Sequence, residues 1–220
     1  MTSFFQSVAL ALAALLPIIN PPGSSPIFLS MTAGASESTR TALARRVALN
    51  AILLLLAAMF VGSYVLLFFG LSLAVIKIAG GLLVISTGWH LIRGPEPQKA
   101  EQMALSPTEQ NIRDVGFYPL TFPLTIGPGA ISVAVTLGAG NHVPGASTLV
   151  VTLGTTAGIL IAAVTIYLCY RFATRVLNSL GETGTTVVLR LSAFILLAVG
   201  VQIFCDGLAA RFAIFSPGRS

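Results

Sequence analysis

The sequence predicts an all-α integral membrane protein with six transmembrane helices, built as two inverted three-helix repeats in which helices 1 and 4 are discontinuous. Three observations predict it. The chain is too apolar for a water-facing surface: 55% of its 220 residues are hydrophobic and only 9% are charged, whereas soluble domains carry about 25% charged residues. Long apolar runs follow one another along the whole chain, with a mean hydropathy of +0.91. Finally, a proline–glycine interruption recurs at matching places in the two halves.

This composition excludes a soluble enzyme, a disordered chain and a nucleic-acid binder. The net charge of +5 does not reinstate the last of these. The basic residues are scattered through short polar segments rather than gathered into a stripe.

The first apolar stretch runs from about Phe4 to Met31 and holds Asn20-Pro21-Pro22-Gly23. The N-terminus has no basic n-region, and no A-x-A-like site follows the stretch, so it reads as a retained span rather than a cleaved signal peptide. The second stretch is Val47 to Phe69. The third, Leu71 to Ile92, contains Lys77, Trp89 and His90. The fourth is about Val115 to Leu137, with Pro123 and Gly127-Pro128-Gly129. The fifth is Ser147 to Tyr170. The sixth is Val187 to Leu208, with Arg190 near its start and Asp206 near its end. Runs of this length satisfy their backbone in lipid only as helices, and the short alternating segments of a β-barrel are missing.

Arg93 to Asp114 is the long polar loop, and Ser106-Pro107-Thr108-Glu109 within it reads as a capping box that leads a short helix into span four. The expected organisation is a first repeat over 1–94, a polar cytoplasmic linker over 95–114, a second repeat over 115–210 and a tail over 211–220. Arg40, Arg45, Arg46, Arg93, Lys99, Arg113, Arg171, Arg175 and Arg190 fall on one side of the membrane. Lys77, Arg211 and Arg219 fall on the other. The positive-inside rule places the first group in the cytoplasm and both termini outside it.

Sliding the chain along itself puts Pro17 on Pro123, Pro22 on Pro128, Gly23 on Gly129, Ala33 on Ala139 and Gly34 on Gly140 at one offset. A slightly larger offset puts Lys77 on Arg190 and Gly94 on Gly207. An odd number of spans per copy forces the second copy to insert upside down, the plan of many secondary transporters.

Proline removes a backbone donor and glycine lets the chain leave helical geometry. Spans one and four should therefore break near mid-membrane. Bare backbone in lipid costs several kcal/mol per group, so such breaks belong where they line a cavity or find partners. Amides at the start of the second half-helices, around Gly23-Ser24-Ser25 and Gly129-Ala130, suit a carboxylate. Carbonyls before the breaks suit an ammonium or a metal cation. Together they suit a small zwitterion. A packing role, in which the prolines only kink helices, is the plain alternative.

At these residues the chain resembles the MarC family of six-span inner-membrane proteins, within the wider lysine-exporter superfamily. The resemblance covers nearly the whole chain and is carried by LLPIINPPGSSPIF, IAGGLLV, FYPLTFPLTIGPGAIS and LLAVGVQIFCDG. It implies a bacterial inner-membrane location and a substrate site at the two broken helices: Asn20, Pro21, Pro22, Gly23, Ser24, Ser25, Thr125, Ile126, Gly127, Pro128, Gly129 and Ala130. Pro22 occupies the variable place of the family's NP-x-G pattern. Similar archaeal proteins carry glycine and other small neutral amino acids, coupled to cations, and the resemblance extends that substrate class here. An older suggestion ties the family name to antibiotic resistance.

Other residues have two readings each. Asn20 can contact a ligand or cap freed backbone, and Ser24, Ser25 and Thr125 can contact a ligand or act as caps. Thr121 and Ser132 can contact a ligand or read as packing residues, Lys77 and Arg190 can bind an anion or snorkel to the interface, and Trp89 and His90 can serve a proton relay or anchor the interface. Asp206 is the carboxylate within an apolar run, a proton-coupling residue or an interfacial one. Gly154 and Gly158 form a GxxxG for close packing, within or between subunits.

The expected function is a secondary transporter of a small neutral solute, with a coupling cation, H+ or Na+, the lipid bilayer and a second copy of the chain as further partners. Alternating access would rock one repeat against the other. A channel or a non-transporting scaffold is the alternative. No cofactor and no metal site is expected: Cys169 and Cys205 have no CxxC or His/Cys spacing. An intramembrane protease would need HExxH, paired aspartates or a Ser/His pair within the spans.

Overall fold

In the computed structural model, the described residues are 2–93, 112–139 and 146–215. They form α1 (Thr2–Ile19), α2 (Pro21–Met31), α3 (Glu37–Phe68), α4 (Leu73–Arg93), α5 (Ile112–Phe117), a π-helical turn (Leu120–Thr125), α6 (Pro128–Ala139), α7 (Thr148–Arg171) and α8 (Ala173–Phe215). Helices over Ser3–Met31, Glu37–Phe68, Leu73–His90, Thr148–Arg171 and Thr183–Phe212 are each long and apolar enough to cross a membrane. The pair Asp114–Thr125 and Pro128–Ala139 is bent by 76°. Counted as one span, it brings the crossings among the described residues to six. It starts with Gly116 against the stem of Arg46 and ends with Gly138 against the Met59 carbonyl. Those two places on α3 are about 20 Å apart along the helix axis.

Large apolar side chains cover the outside, among them Leu53, Phe68, Leu149, Leu191 and Phe194. Lipid is their solvent. Inside, Leu15, Phe28, Leu43, Val47, Leu55, Leu120, Ile126, Ile159, Ile166 and Tyr170 form one core.

Small residues set the helix contacts. Gly154 and Gly158 seat α7 on α1: a methyl built on either would lie 2.6 Å from the Cβ of Ser7 or of Ala11. The GxxxG therefore works within the subunit. On α6 and α3, Gly138 meets the Met59 carbonyl and Gly62 meets Val135.

The most extensive seam joins α4 to α8. A methyl on Gly81 would lie 2.6 Å from the Phe204 nitrogen, and one on Gly200 2.7 Å from the Ile85 nitrogen. A methyl on Gly88 would lie 2.8 Å from the Leu197 nitrogen, and one on Gly207 2.8 Å from the Ile78 nitrogen. The two helices run antiparallel, and each contact has its mirror when the halves are exchanged. Gly81 then corresponds to Gly200 and Gly88 to Gly207. The offset read from sequence for this part, Gly94 on Gly207 and Lys77 on Arg190, is corrected: in space Lys77 corresponds to Leu196. Glycines recur along membrane helices, and a chance match there competes with the register fixed by backbone contact.

Two boundaries also differ from expectation. The helix expected from Val47 begins at Glu37, because the Ser36 hydroxyl accepts from the Thr39 amide at 3.1 Å and caps it. Arg40, Arg45 and Arg46 thus lie on a helix rather than in a loop. Arg40 folds back to donate to the Thr32 carbonyl at 3.0 Å, closing the end of α2. The helix expected from Val187 begins at Ala173, and it breaks at Gly181, where φ is 66°. One end of the bundle gathers these polar parts: Arg171 pairs with Glu37 at 3.3 Å, and Arg40 donates to Thr174 at 3.5 Å. The capping box at 106–109 and most of the 95–114 linker lie outside the described residues.

Candidate functional site at two interrupted helices

The first interruption is one residue wide. Asn20 sits at φ 48° and ψ 58°, a left-handed conformation that asparagine tolerates better than most side chains. Its amide still donates to Leu16 O at 2.8 Å. Pro21 and Pro22 have no amide hydrogen to place, and Gly23 N donates to Asn20 Oδ1 at 3.2 Å. A methyl on Gly23 would collide with the Asn20 side chain, so this cap requires glycine there. Of the two readings of Asn20, the structure shows the cap. The amide of Gly23, expected to be open to an anion, is taken by it.

Ser24 and Ser25 do not cap. Their hydroxyls turn back to the carbonyls freed by the prolines: Ser24 Oγ donates to Asn20 O at 3.0 Å and lies 3.3 Å from Pro21 O, and Ser25 Oγ donates to Pro21 O at 2.7 Å. Because these bonds bridge the gap, Ser3–Met31 runs on as one span with a local dislocation.

The second interruption is wider. Pro123 sits in the π-helical turn, and Phe122 leaves helical geometry at φ −116° and ψ 128°. Ile126 is extended and donates to Thr121 O at 2.8 Å. Pro128 then opens α6 at the position where a missing amide costs least. Thr125 Oγ1 donates to Leu120 O at 2.6 Å, and Thr121 Oγ1 to Gly116 O at 2.5 Å. Asn50 on α3 donates to Thr121 Oγ1 at 3.3 Å. Ser132, on the first turns of α6, donates to Ile76 O of α4 at 3.1 Å.

The two interruptions face each other. A methyl on Gly129 would collide with Val84 and lie 3.5 Å from Ile18 Cγ2, on the turn before the first break. One side chain bonds to both. The Tyr170 hydroxyl donates to Ser24 Oγ at 3.0 Å and lies 2.8 Å from Thr125 Oγ1. Its ring stacks on Phe28 at 4.3 Å, and it is fully buried. The groups that bond one another here are all neutral hydroxyls, amides and carbonyls.

Of the residues expected at the site, Asn20, Pro21, Gly23, Ser24 and Ser25 adjoin the first break. Thr125, Ile126, Gly127, Gly129 and Ala130 adjoin the second. Pro22 and Pro128 are exposed. Asp206 is not brought to either break. It is exposed on α8 and accepts from Gln202 Nε2, one turn away, at 2.8 Å. Trp89 and His90 are exposed at the end of α4, with the Arg93 guanidinium 4.9 Å from the Trp89 ring centre. Among the described residues no group of His, Cys, Asp and Glu could hold a metal ion. Sequence reasoning missed Tyr170, Phe28 and Asn50. Asn50 carried a signal, as an amide inside an apolar run. Tyr170 stands beside Arg171 at a span end, where a tyrosine reads as an interface anchor.

Comparisons with known proteins agree with this architecture. The chain is 30% identical over 203 residues to a UPF0056 membrane protein of Methanocaldococcus jannaschii, covering 92% of this chain and 96% of the relative. It is 28% identical over 219 residues to the UPF0056 inner membrane protein MarC of Salmonella arizonae, covering 94% and 96%. It is 29% identical over 203 residues to the UPF0056 membrane protein YhcE of Escherichia coli, covering 90% of each. No solved structure matches. The family model for MarC family integral membrane protein matches residues 5–212, and the chain belongs to that family.

Proposed function

We propose that the protein is a secondary transporter of small neutral solutes, with glycine and alanine as the leading substrates. The observation that carries this reading is the meeting of two interrupted helices, one from each half, at Tyr170. Interrupted helices with neutral polar lining are how membrane carriers hold a zwitterion without a buried ionised side chain. The substrate class comes from the family likeness, and the neutral hydroxyls, amides and carbonyls that bond one another at the breaks support it.

Alternating access needs a body that moves. Rocking one whole repeat against the other would pull open the α4–α8 seam, where backbones meet at four glycines. That seam supports α4 and α8 moving together, as one unit, against α1, α3 and α7. The end that carries Arg40, Arg46 and Arg171 then faces the cytoplasm, both termini lie outside it, and the membrane is the bacterial inner membrane.

The test is uptake of labelled glycine and alanine into liposomes holding the purified protein. Saturable uptake that Gly23→Leu and Gly129→Leu both abolish is expected. Uptake that rises linearly with concentration would point to a channel, and none at all for any small neutral amino acid would overturn the reading.

A further inference from the structure

A cavity of about 390 Å³ lies away from both interruptions, between α3, α6 and α7. Its size is that of sites for small molecules. It sits at the end of the bundle opposite Arg46: Met59, in its wall, stands about 20 Å along α3 from that arginine. Its described lining residues carry no charge, and five of them bear hydroxyls: Ser63, Tyr64, Thr148, Thr152 and Thr155. Elsewhere in the spans such hydroxyls turn back to the carbonyl one turn before them. Thr87 bonds Leu83 O, Thr136 bonds Ser132 O and Thr165 bonds Ile161 O, each at 2.9 Å. Ser63, Thr152 and Thr155 make no such bond and have no other partner among the described residues. Thr155 is only 3% exposed, so its hydroxyl has the cavity alone to turn to. Three hydroxyls on two helices therefore give the cavity the donors and acceptors that water or a polar solute needs.

The cavity stops short of the interruptions. One turn further in, each wall helix presents a fully buried apolar residue: Leu55 below Met59 on α3, Ala134 below Gly138 on α6, and Ile159 below Thr155 on α7. All three belong to the one core, and Ala134 stands one turn from Ala130 at the second break.

We propose that this cavity is an entry site for small neutral solutes on the side away from the cytoplasm. It is a water-filled vestibule whose hydroxyls hold the solute, and its floor of Leu55, Ala134 and Ile159 shuts it off from the two interruptions. An uncharged lining suits a solute without net charge. Hydroxyls both donate and accept, so they meet an ammonium and a carboxylate alike. Phe60, Leu137 and Val151 in the same wall meet a short apolar side chain. The role as an entry site rests on the transport reading, whereas access of water to Thr155 is measured without it.

The experiment uses the full chain with Cys169→Ser and Cys205→Ser, and adds Thr155→Cys, Thr152→Cys or Leu153→Cys. Leu153 lies nearer the start of α7 than Thr155 but is exposed and outside the cavity lining. A methanethiosulfonate bearing a quaternary ammonium, which does not cross lipid, is added to right-side-out membrane vesicles. A thiol in hydrocarbon stays protonated and unreactive, whereas one in water ionises. Thr155→Cys and Thr152→Cys should each be modified at least about tenfold faster than Leu153→Cys. The same modification, driven to completion on purified protein, should then abolish glycine uptake in liposomes for the two cavity variants and spare it for Leu153→Cys. Two cavity variants keep the test open if one of them fails to unfold cooperatively. Modification of both no faster than Leu153→Cys, or from inside-out vesicles alone, would overturn the vestibule. Full uptake by the completely modified variants would overturn its role as an entry site. Fast modification in a protein that takes up no amino acid even when unmodified would leave the water-filled cavity standing and remove the transport reading.

Discussion

Tyr170 donates its hydroxyl proton to Ser24 Oγ at 3.0 Å, across 146 positions of the chain. The bond joins the last turn of α7 to the first turn of α2. Through Thr125 at 2.8 Å it also reaches the π-helical turn of span four. Three segments far apart in sequence therefore share one buried hydroxyl, and the stacked Phe28 ring fixes the height at which it sits.

Replacing Tyr170 should separate its two contributions. Tyr170→Phe keeps the stacking and removes the hydroxyl, leaving Ser24 and Thr125 bonded to their own carbonyls. Its cost should be about 1 kcal/mol or less. Tyr170→Ala also removes the ring from a fully buried place and should cost about 3–5 kcal/mol. Equilibrium unfolding in mixed micelles measures both. Equal costs would mean that the ring does not pack as described.

Asn20 should rank above glycine and glycine above alanine. Asn20→Gly keeps the left-handed backbone cheap and loses the bond to the Gly23 amide, at a few tenths of a kcal/mol. Asn20→Ala loses that bond and strains the backbone, at about 2 kcal/mol. Melting temperatures of the three proteins test the order. Alanine matching asparagine would show that the backbone at residue 20 is helical.

The α4–α8 seam should reject side chains. Gly81→Leu and Gly200→Leu drive a branched group into backbone on the facing helix and should each destabilise by about 1–3 kcal/mol or more. Their effects should not add, because a methyl on Gly81 would already lie 2.9 Å from Gly200 O. Gly34→Ala is the control: nothing lies within 4 Å of the added methyl, and the change should stay within about 0.5 kcal/mol.

A lock between α4 and α6 should stop transport. A methyl on Gly80 would lie 2.6 Å from Ser132 Cβ, close enough that a slight outward shift admits a disulfide between Gly80→Cys and Ser132→Cys. With Cys169 and Cys205 replaced, oxidation should abolish glycine uptake and a reducing agent should restore it. Full uptake by the oxidised protein would show that α4 and α6 do not move apart during the cycle.

Much of this was legible in the residues. Apolar run length gave the spans, and the paired Pro-Gly elements gave both interruptions, because each is a local property of the backbone. Helix starts were harder. Ser36 caps α3 through its hydroxyl, and the polar turns that follow do not register as an apolar run. The residues that adjoin the two breaks were readable for the same local reason. Tyr170 was not, since its role depends on how α7 crosses α2 and the π-helical turn. The geometry of the two breaks was not readable either. Ser24 and Ser25 mend the first with hydroxyl bonds, whereas Pro123 and Phe122 leave span four bent by 76°.

The glycine seam also bears on how the molecule is built. Helix α4 is made early, yet the surface it fits belongs to α8, which leaves the ribosome well after it. Until then Gly81 and Gly88 have only acyl chains to lie against. The third crossing thus waits, unmated, for α8, and a chain cut short before that helix leaves it exposed to membrane quality control.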